Sequence, residues 1–216
     1  KGVAKELDVS ERYVAPSRLL KPYHAGDGRG IYISSAPETK VLNNTVYLNE
    51  GEGICVEGPP RREGPATMST HGYVVMNNIS VFNHGSQLTL LPDTAEKDRP
   101  PASSDYNLLF SVGAVFAKYG WEGPAAWSIK EWQKISGQDM HSLDADPRFA
   151  LAAMEDFRLL EGSPALGSGK PLLEVDHDYL GQPRGKEKTA IGACEAPAQT
   201  YPEPLWGRSA PGNQAP

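Results

Sequence analysis

Residues 41–56, Val-Leu-Asn-Asn-Thr-Val-Tyr-Leu-Asn-Glu-Gly-Glu-Gly-Ile-Cys-Val, align without a gap on residues 75–90, Val-Met-Asn-Asn-Ile-Ser-Val-Phe-Asn-His-Gly-Ser-Gln-Leu-Thr-Leu. The offset is 34, and Asn43/Asn77, Asn44/Asn78, Asn49/Asn83 and Gly51/Gly85 are identical. A further copy lies upstream, where 28–33 (Gly-Arg-Gly-Ile-Tyr-Ile) matches 51–56 at an offset of 23. Short apolar runs repeating at this period, with Asn and Gly between them, predict a stacked solenoid of strands. Asn tolerates left-handed corners, and its amide can bond the same Asn one coil away, so the repeats predict asparagine ladders.

The composition fits an all-β chain. There are 22 Gly and 19 Pro in 216 residues, so turns are frequent and long helices unexpected. A net charge of -6 argues against nucleic acid or an anionic membrane surface as partner. No apolar run approaches the roughly 18 residues that a membrane span needs. Two cysteines, Cys55 and Cys194, are too few for a disulfide scaffold or a zinc site. The chain opens on Lys1 without a signal-peptide pattern and reads as a processed or truncated product. A coil cannot bury both flat faces alone, so further coils are expected upstream, in the same polypeptide or in a partner chain.

The repeats divide the sequence. Residues 1–26 join or cap upstream coils, with one irregular strand over 9–14, and coils occupy 27–110 with loops at 57–73 and 92–104. The fourth strand is expected over 105–110. Residues 111–127 read as an insertion whose Trp121 and Trp127 pack on the stack. Ser128 and Glu131 form a capping box, predicting a helix over 129–135 stopped by Gly137. The cap continues to 195, ending in a strand over 189–195, and 196–216 is a Pro-rich tail.

Several motifs in this half occur in order: Ser104-Asp-Tyr-Asn-Leu-Leu-Phe110, Glu131-Trp132, Gly137-Gln-Asp139, His141-Ser142, Asp146-Pro-Arg-Phe149, Asp156-Phe-Arg-Leu159, Ser163-Pro-Ala165, Gly181-Gln-Pro-Arg184 and Ile191-Gly-Ala193. Over about 27–195 the chain resembles the C-terminal portion of right-handed parallel β-helix repeat proteins, many of them secreted carbohydrate-active enzymes of bacteria. Cys194 departs from the pattern, standing where such sequences tend to carry an aromatic residue. The resemblance implies a right-handed parallel β-helix with a small helix and strand cap, a secreted or periplasmic location and a carbohydrate partner. Most of these motifs read as turn chemistry and anchors, with Arg184 as a charge clamp. Asp139 and His141, just past a helix end, read as groups satisfying loop backbone.

Chemistry is expected on the face that the coils share. Stacking 28–33 under 51–56 sets Asp27 under Glu50 and Arg29 under Glu52, about 4.8 Å apart. Two carboxylates so close repel, which raises one pKa and suits it to general acid work. Retaining glycosidases hold their carboxyl pair about 5–5.5 Å apart. Asp27 as nucleophile and Glu50 as acid/base therefore form the candidate catalytic pair, with Glu52 competing for the acid role. The pair also resembles that of β-xylosidase-like β-helix hydrolases. With Ile31, Ile33, Ile54 and Val56 inward, Gly30, Tyr32, Gly53, Cys55 and Glu57 are expected outward, the glycines leaving a shallow floor. Tyr32 would stack on a sugar, while His24, Arg29, Glu57 and His84 would bind its polar groups.

Two other readings stay open. A polysaccharide lyase acting by β-elimination on a uronate polymer would take its base and cation from Arg29, His24, His84 or Arg61-Arg62. Asp27 and Glu50 would then hold calcium, although no spacing forms a calcium loop and no other cofactor or metal is expected. Alternatively, a glycan-binding or structural solenoid would present its aromatic residues without turnover.

Overall fold

The structure, a computed structural model, describes residues 13–14, 28–58, 60–63, 66–91, 101–120 and 122–197. It consists mostly of very short strands in parallel sheets, an arrangement compatible with a β-solenoid. β1 (Tyr13–Val14) precedes the first repeat, which brings β2 (Ile31–Ile33), β3 (Lys40–Leu42) and β4 (Thr45–Tyr47). The second has β5 (Ile54–Val56), a hairpin of β6 (Arg61–Glu63) and β7 (Ala66–Met68), then β8 (Val74–Met76) and β9 (Ile79–Val81). The third has β10 (Leu88–Leu90), β11 (Ser103–Asp105) and β12 (Leu108–Phe110), followed by β13 (Ala117–Tyr119) and β14 (Ala125–Ala126).

From β2 onward the chain visits three sheets in turn. The first sheet orders β2, β5, β10 and β13 in parallel, with β14 antiparallel at its end. The second orders β3, β8 and β11, and the third β1, β4, β9 and β12. Ile31 pairs with Ile54 and Ile54 with Leu88, so both sequence offsets, 23 and 34, are registers of the sheet. The next step is shorter: Leu88 pairs with Ala117, and Val74 with Ser103. That change of period is why the fourth strand expected over 105–110 is two strands, β11 and β12, which bend at Tyr106 (φ 56°). The supposed insertion 111–127 likewise supplies β13 and β14, and the loop 57–73 carries the β6–β7 hairpin.

One core joins the sheets. Ile31, Ile54 and Leu88 from the first, Val41 and Val75 from the second, and Val46 and Leu109 from the third are all buried in it. The glycines correct an expectation. A Cβ on Gly30 would lie 2.4 Å from Cγ1 of core Val46, and one on Gly53 would lie 2.1 Å from the buried Ser80 Oγ. Both glycines therefore turn toward the interior, where coils approach too closely for a side chain, and do not form an outer floor. Gly53→Ala is expected to cost about 1–3 kcal/mol by overpacking, read as a lower urea midpoint at unchanged m. An unchanged midpoint would contradict this packing.

Amide ladders tie the repeats together. Asn44 Nδ2 donates to Asn78 Oδ1 (3.1 Å), Asn78 Nδ2 to Asn107 Oδ1 (3.1 Å), and Asn107 Nδ2 to Asp139 Oδ1 (2.9 Å). Each acceptor oxygen along the first two steps also takes the backbone N–H of the donor residue, at 2.9 Å. A second ladder runs from Asn49 through Asn83 (2.9 Å) to Gln87 Oε1 (2.8 Å). The preceding residues Asn43 and Asn77 take left-handed φ of 53° and 58°. Asn43-Asn-Thr45 and Asn78-Ile-Ser80 fit the Asn-x-Ser/Thr glycosylation pattern, but both acceptor asparagines are buried and out of reach.

The remaining chain closes one end and one side. Helix α1 (Ile129–Ser136) starts at Ser128, whose side chain accepts the Glu131 N–H, and stops at left-handed Gly137. Glu131 returns its carboxylate to the N–H of Trp127 rather than of Ser128. Trp132 enters the shared core, whereas Trp127 is 65% exposed, contrary to the packing role expected of it; Trp121 lies outside the described residues. The hairpin β15 (Phe149–Leu151) and β16 (Asp156–Leu159), joined through a 3-10 turn, packs on the outer side of the third sheet, where Tyr47 meets Phe82, Phe149 and Phe157. Arg184 clamps this layer by donating to Glu195 Oε2 (3.0 Å) and to the Gly192 carbonyl (2.8 Å). The strand expected over 189–195 does not form. Thr189 makes a single bridge to Gly169, and Gly192 (φ 94°) leaves the extended backbone that regular pairing needs. Among the described residues no helix is long and apolar enough to cross a membrane.

Candidate functional site

Tyr32, Cys55, Thr89 and Lys118 stand in register across β2, β5, β10 and β13. They alternate with the buried Ile31/Ile33, Ile54/Val56 and Leu88/Leu90 pairs, so they form the outward row of the first sheet. The row is most open at its Tyr32 end, and Lys118 at the other end is partly exposed. Tyr32 is 43% exposed, while Cys55 and Thr89 are fully covered. Cys55 was expected to face a groove; it is outward in register but inaccessible. Burial, with the charges of Glu52 and Glu57, pushes its thiol up to about 12, so it stays protonated and unreactive near neutrality. Cys194 is buried too, and both thiols are free.

At the open end the residues of neighbouring repeats meet as the 23-residue register requires. Arg29 Nε donates to Glu52 Oε2 at 2.8 Å. The Arg29 guanidinium carbon lies 4.6 Å from the centroid of the Tyr32 ring. The Arg29 side chain is largely buried and Glu52 is partly so, which lends this pair more weight than a surface bridge. The Tyr32 ring therefore has a cation on it, and its remaining exposed surface is a platform beside carboxylates.

Glu50 and His84 occupy the adjoining corner, between the third sheet and the first. Both are exposed, and the His84 N–H donates to the Asn49 carbonyl at 2.9 Å. The Gly51 N–H donates to the Gly28 carbonyl at 2.9 Å, so the 23-residue register holds up to the residue that follows Asp27 in the chain. Asp27 and His24 themselves lie outside the described residues.

Glu57, one residue past β5, is buried to 7% exposure, and its Oε2 has no hydrogen-bond partner among the described residues. Burial holds its carboxyl above the usual 4.5; Arg29 and Lys118 oppose that and Glu52 reinforces it. The folded protein therefore binds a proton that the unfolded chain has released, so stability falls as pH rises from about 4.5 through the raised value and then levels. Urea midpoints of wild type and Glu57→Gln across pH 4–8 should diverge in that sense, wild type losing ground. Parallel curves would show that Glu57 titrates normally.

Lys118 was missed by sequence reasoning. It aligns with Thr89 only at the shortened third step, a spacing the longer repeat conceals. Asp139 and His141 do not pair with one another. Asp139 is a buried acceptor, and His141 Nδ1 lies 2.7 Å from Asp105 Oδ2 with its ring stacked on Tyr106. Asp139 thus satisfies side chains rather than loop backbone. Two clefts of about 540 and 380 Å3 flank the C-terminal layer, near Leu172 and Arg184 and near Phe157 and Tyr179, away from the first sheet. Both are also lined by ionisable groups, Asp176, His177, Arg184 and Lys186 in the first and Glu155, Asp156 and Arg158 in the second, whereas the Arg29–Glu52 cluster follows the repeat. Among the described residues no three His, Cys, Asp or Glu side chains gather as a cation site. No family model, curated protein or solved structure matches the chain.

Proposed function

We propose that the chain is the C-terminal portion of a right-handed parallel β-helix enzyme, secreted or periplasmic, that hydrolyses glycosidic bonds at the open end of the first sheet. The observation carrying this reading is the Arg29–Glu52 pair across two repeats, set on the half-exposed Tyr32 ring. An aromatic face flanked by polar groups suits a sugar ring, with stacking below and hydrogen bonds at the edge.

In this mechanism Asp27 attacks the anomeric carbon while Glu50 protonates the departing oxygen; Glu50 then takes a proton from water as the glycosyl–enzyme bond is hydrolysed. Glu50 suits the shuttle better than Glu52, since Arg29 already occupies Glu52 Oε2, whereas Glu50 has no hydrogen-bond partner among the described residues. Upstream coils of the same protein, or a partner chain, would complete the groove. Incubation with neutral and uronate-containing polysaccharides, following reducing ends and absorbance of unsaturated products together, tests the proposal. Saturated products support it, unsaturated products shift the assignment to a lyase, and absence of product leaves a binding or structural solenoid.

A further inference from the structure

The larger C-terminal cleft holds about 540 Å3, within the range of about 300–1,000 Å3 that small-molecule sites occupy. It lies between the corners that follow β3 and β8, at Asn43 and Asn77, and the segment 171–189 wrapped over them. Leu172 and Val175 anchor that segment by packing with Leu42 and Met76 of the second sheet.

Its wall includes the apolar side chains of Pro171, Leu172, Leu173, Val175 and Pro183. Leu173 is fully exposed, and its neighbours on both sides hold it there. The Val175 N–H donates to the Leu172 carbonyl at 3.2 Å, and Glu174 is ion-paired with Lys40. A leucine held in water on the rim of an apolar wall is surface that a seated apolar group would cover.

The polar groups of the floor are already engaged. Asn77 Nδ2 donates to the Lys170 carbonyl (2.7 Å), Asn43 Nδ2 to the Ala190 carbonyl (3.4 Å) and Thr189 Oγ1 to Glu195 Oε2 (2.6 Å). Most charges of the segment are engaged too. Asp176 Oδ1 lies 2.9 Å from His177 Nδ1, Arg184 pairs with Glu195 at 3.0 Å, and Asp178 accepts the N–H groups of Leu180, Gln182 and Glu195. Lys170, Lys186 and Lys188, against Glu187, make no ion pair among the described residues, a local excess of cations on a chain of net charge -6. Of these only Lys186 lines the cleft, and it is exposed. No Phe, Tyr or Trp lines it, which disfavours a neutral sugar, and a bare inorganic anion would leave the apolar wall unused.

We propose that this cleft binds a small carboxylic acid with an aromatic or short aliphatic body. The carboxylate meets the Lys186 ammonium, and the apolar body lies between Leu173 and the wall of Leu172 and Val175. The site is independent of the hydrolase reading, since it lies away from the first sheet and shares no residue with Asp27, Glu50 or Glu52.

The test uses the full chain with phenylacetate and hexanoate, and with phenylacetamide and hexanamide as their neutral counterparts, by titration calorimetry and amide shift mapping in NMR. Wild type should bind at least one acid, with shifts at 171–175 and 183–189. The matching amide should bind about threefold or more weakly, the worth of one exposed ion pair. Lys186→Ala should erase that preference, and Leu173→Ser should weaken the acid about tenfold. Both residues are exposed, so neither variant should move the melting temperature of the ligand-free protein. Failure of both acids to bind wild type overturns the site, as does an amide that binds as well as its acid. Binding that neither variant alters overturns it too. Shifts in wild type confined to residues outside 171–189 would overturn it whatever the variants do.

Discussion

Asp139→Ala should lower the unfolding free energy by about 3–5 kcal/mol, far more than a surface substitution. Asp139 Oδ1 accepts from Asn107 Nδ2 (2.9 Å) and Ser142 Oγ (2.6 Å), while Oδ2 accepts from Ser104 Oγ (2.8 Å) and Trp132 Nε1 (2.8 Å). The ladder from Asn44 passes a donor forward at each step and can end only on a group that need not donate. A carboxylate is such a group. Burial pushes its carboxyl up, and the four donors push it back. Removing it orphans donors from β11, the β11–β12 corner, α1 and the following turn at once, in a site sealed from water. Asp139→Asn should recover only part of the loss, because its amide hydrogens would face donors. Urea unfolding near neutral pH measures both, and a loss below about 1 kcal/mol in Asp139→Ala would contradict this role.

Glu50→Gln should reduce kcat/KM by about 10²–10⁴-fold on a substrate with a poor leaving group, the usual worth of a positioned proton donor. Asp27→Asn should lose activity on every substrate, since it removes the proposed nucleophile. The two can be told apart with aryl glycosides whose phenolate leaves without protonation. There Glu50→Gln should recover much of its bond-cleaving rate and Asp27→Asn should not. Glu50 is exposed and without a hydrogen-bond partner among the described residues, so its unfolding curve should match wild type. Full activity in Glu50→Gln would remove it from the mechanism.

The repeat was legible because identical asparagines recur at fixed offsets, and each identity answers a backbone need that a coil imposes on the next. The Arg29–Glu52 contact followed from the same alignment. The third step escaped because it is shorter: Asn107 continues the ladder of Asn78, but Tyr106 stands where Asn43 and Asn77 announce the corner. Gly30 and Gly53 misled because strict alternation assigns them outward, while the bend entering each strand turns them inward. Cys55 misled differently. Register fixes the direction of a side chain, but not what covers it.

The measurement closest to the central claim is hydrogen exchange of the intact chain with and without neutral and uronate-containing oligosaccharides. The account predicts slowed exchange in the amides of 29–34 and 50–58, where Arg29, Tyr32, Glu50, Glu52 and Glu57 lie on the first sheet and its corners. Slowed exchange confined to 171–186 around the C-terminal clefts, or no change with any oligosaccharide, would contradict it.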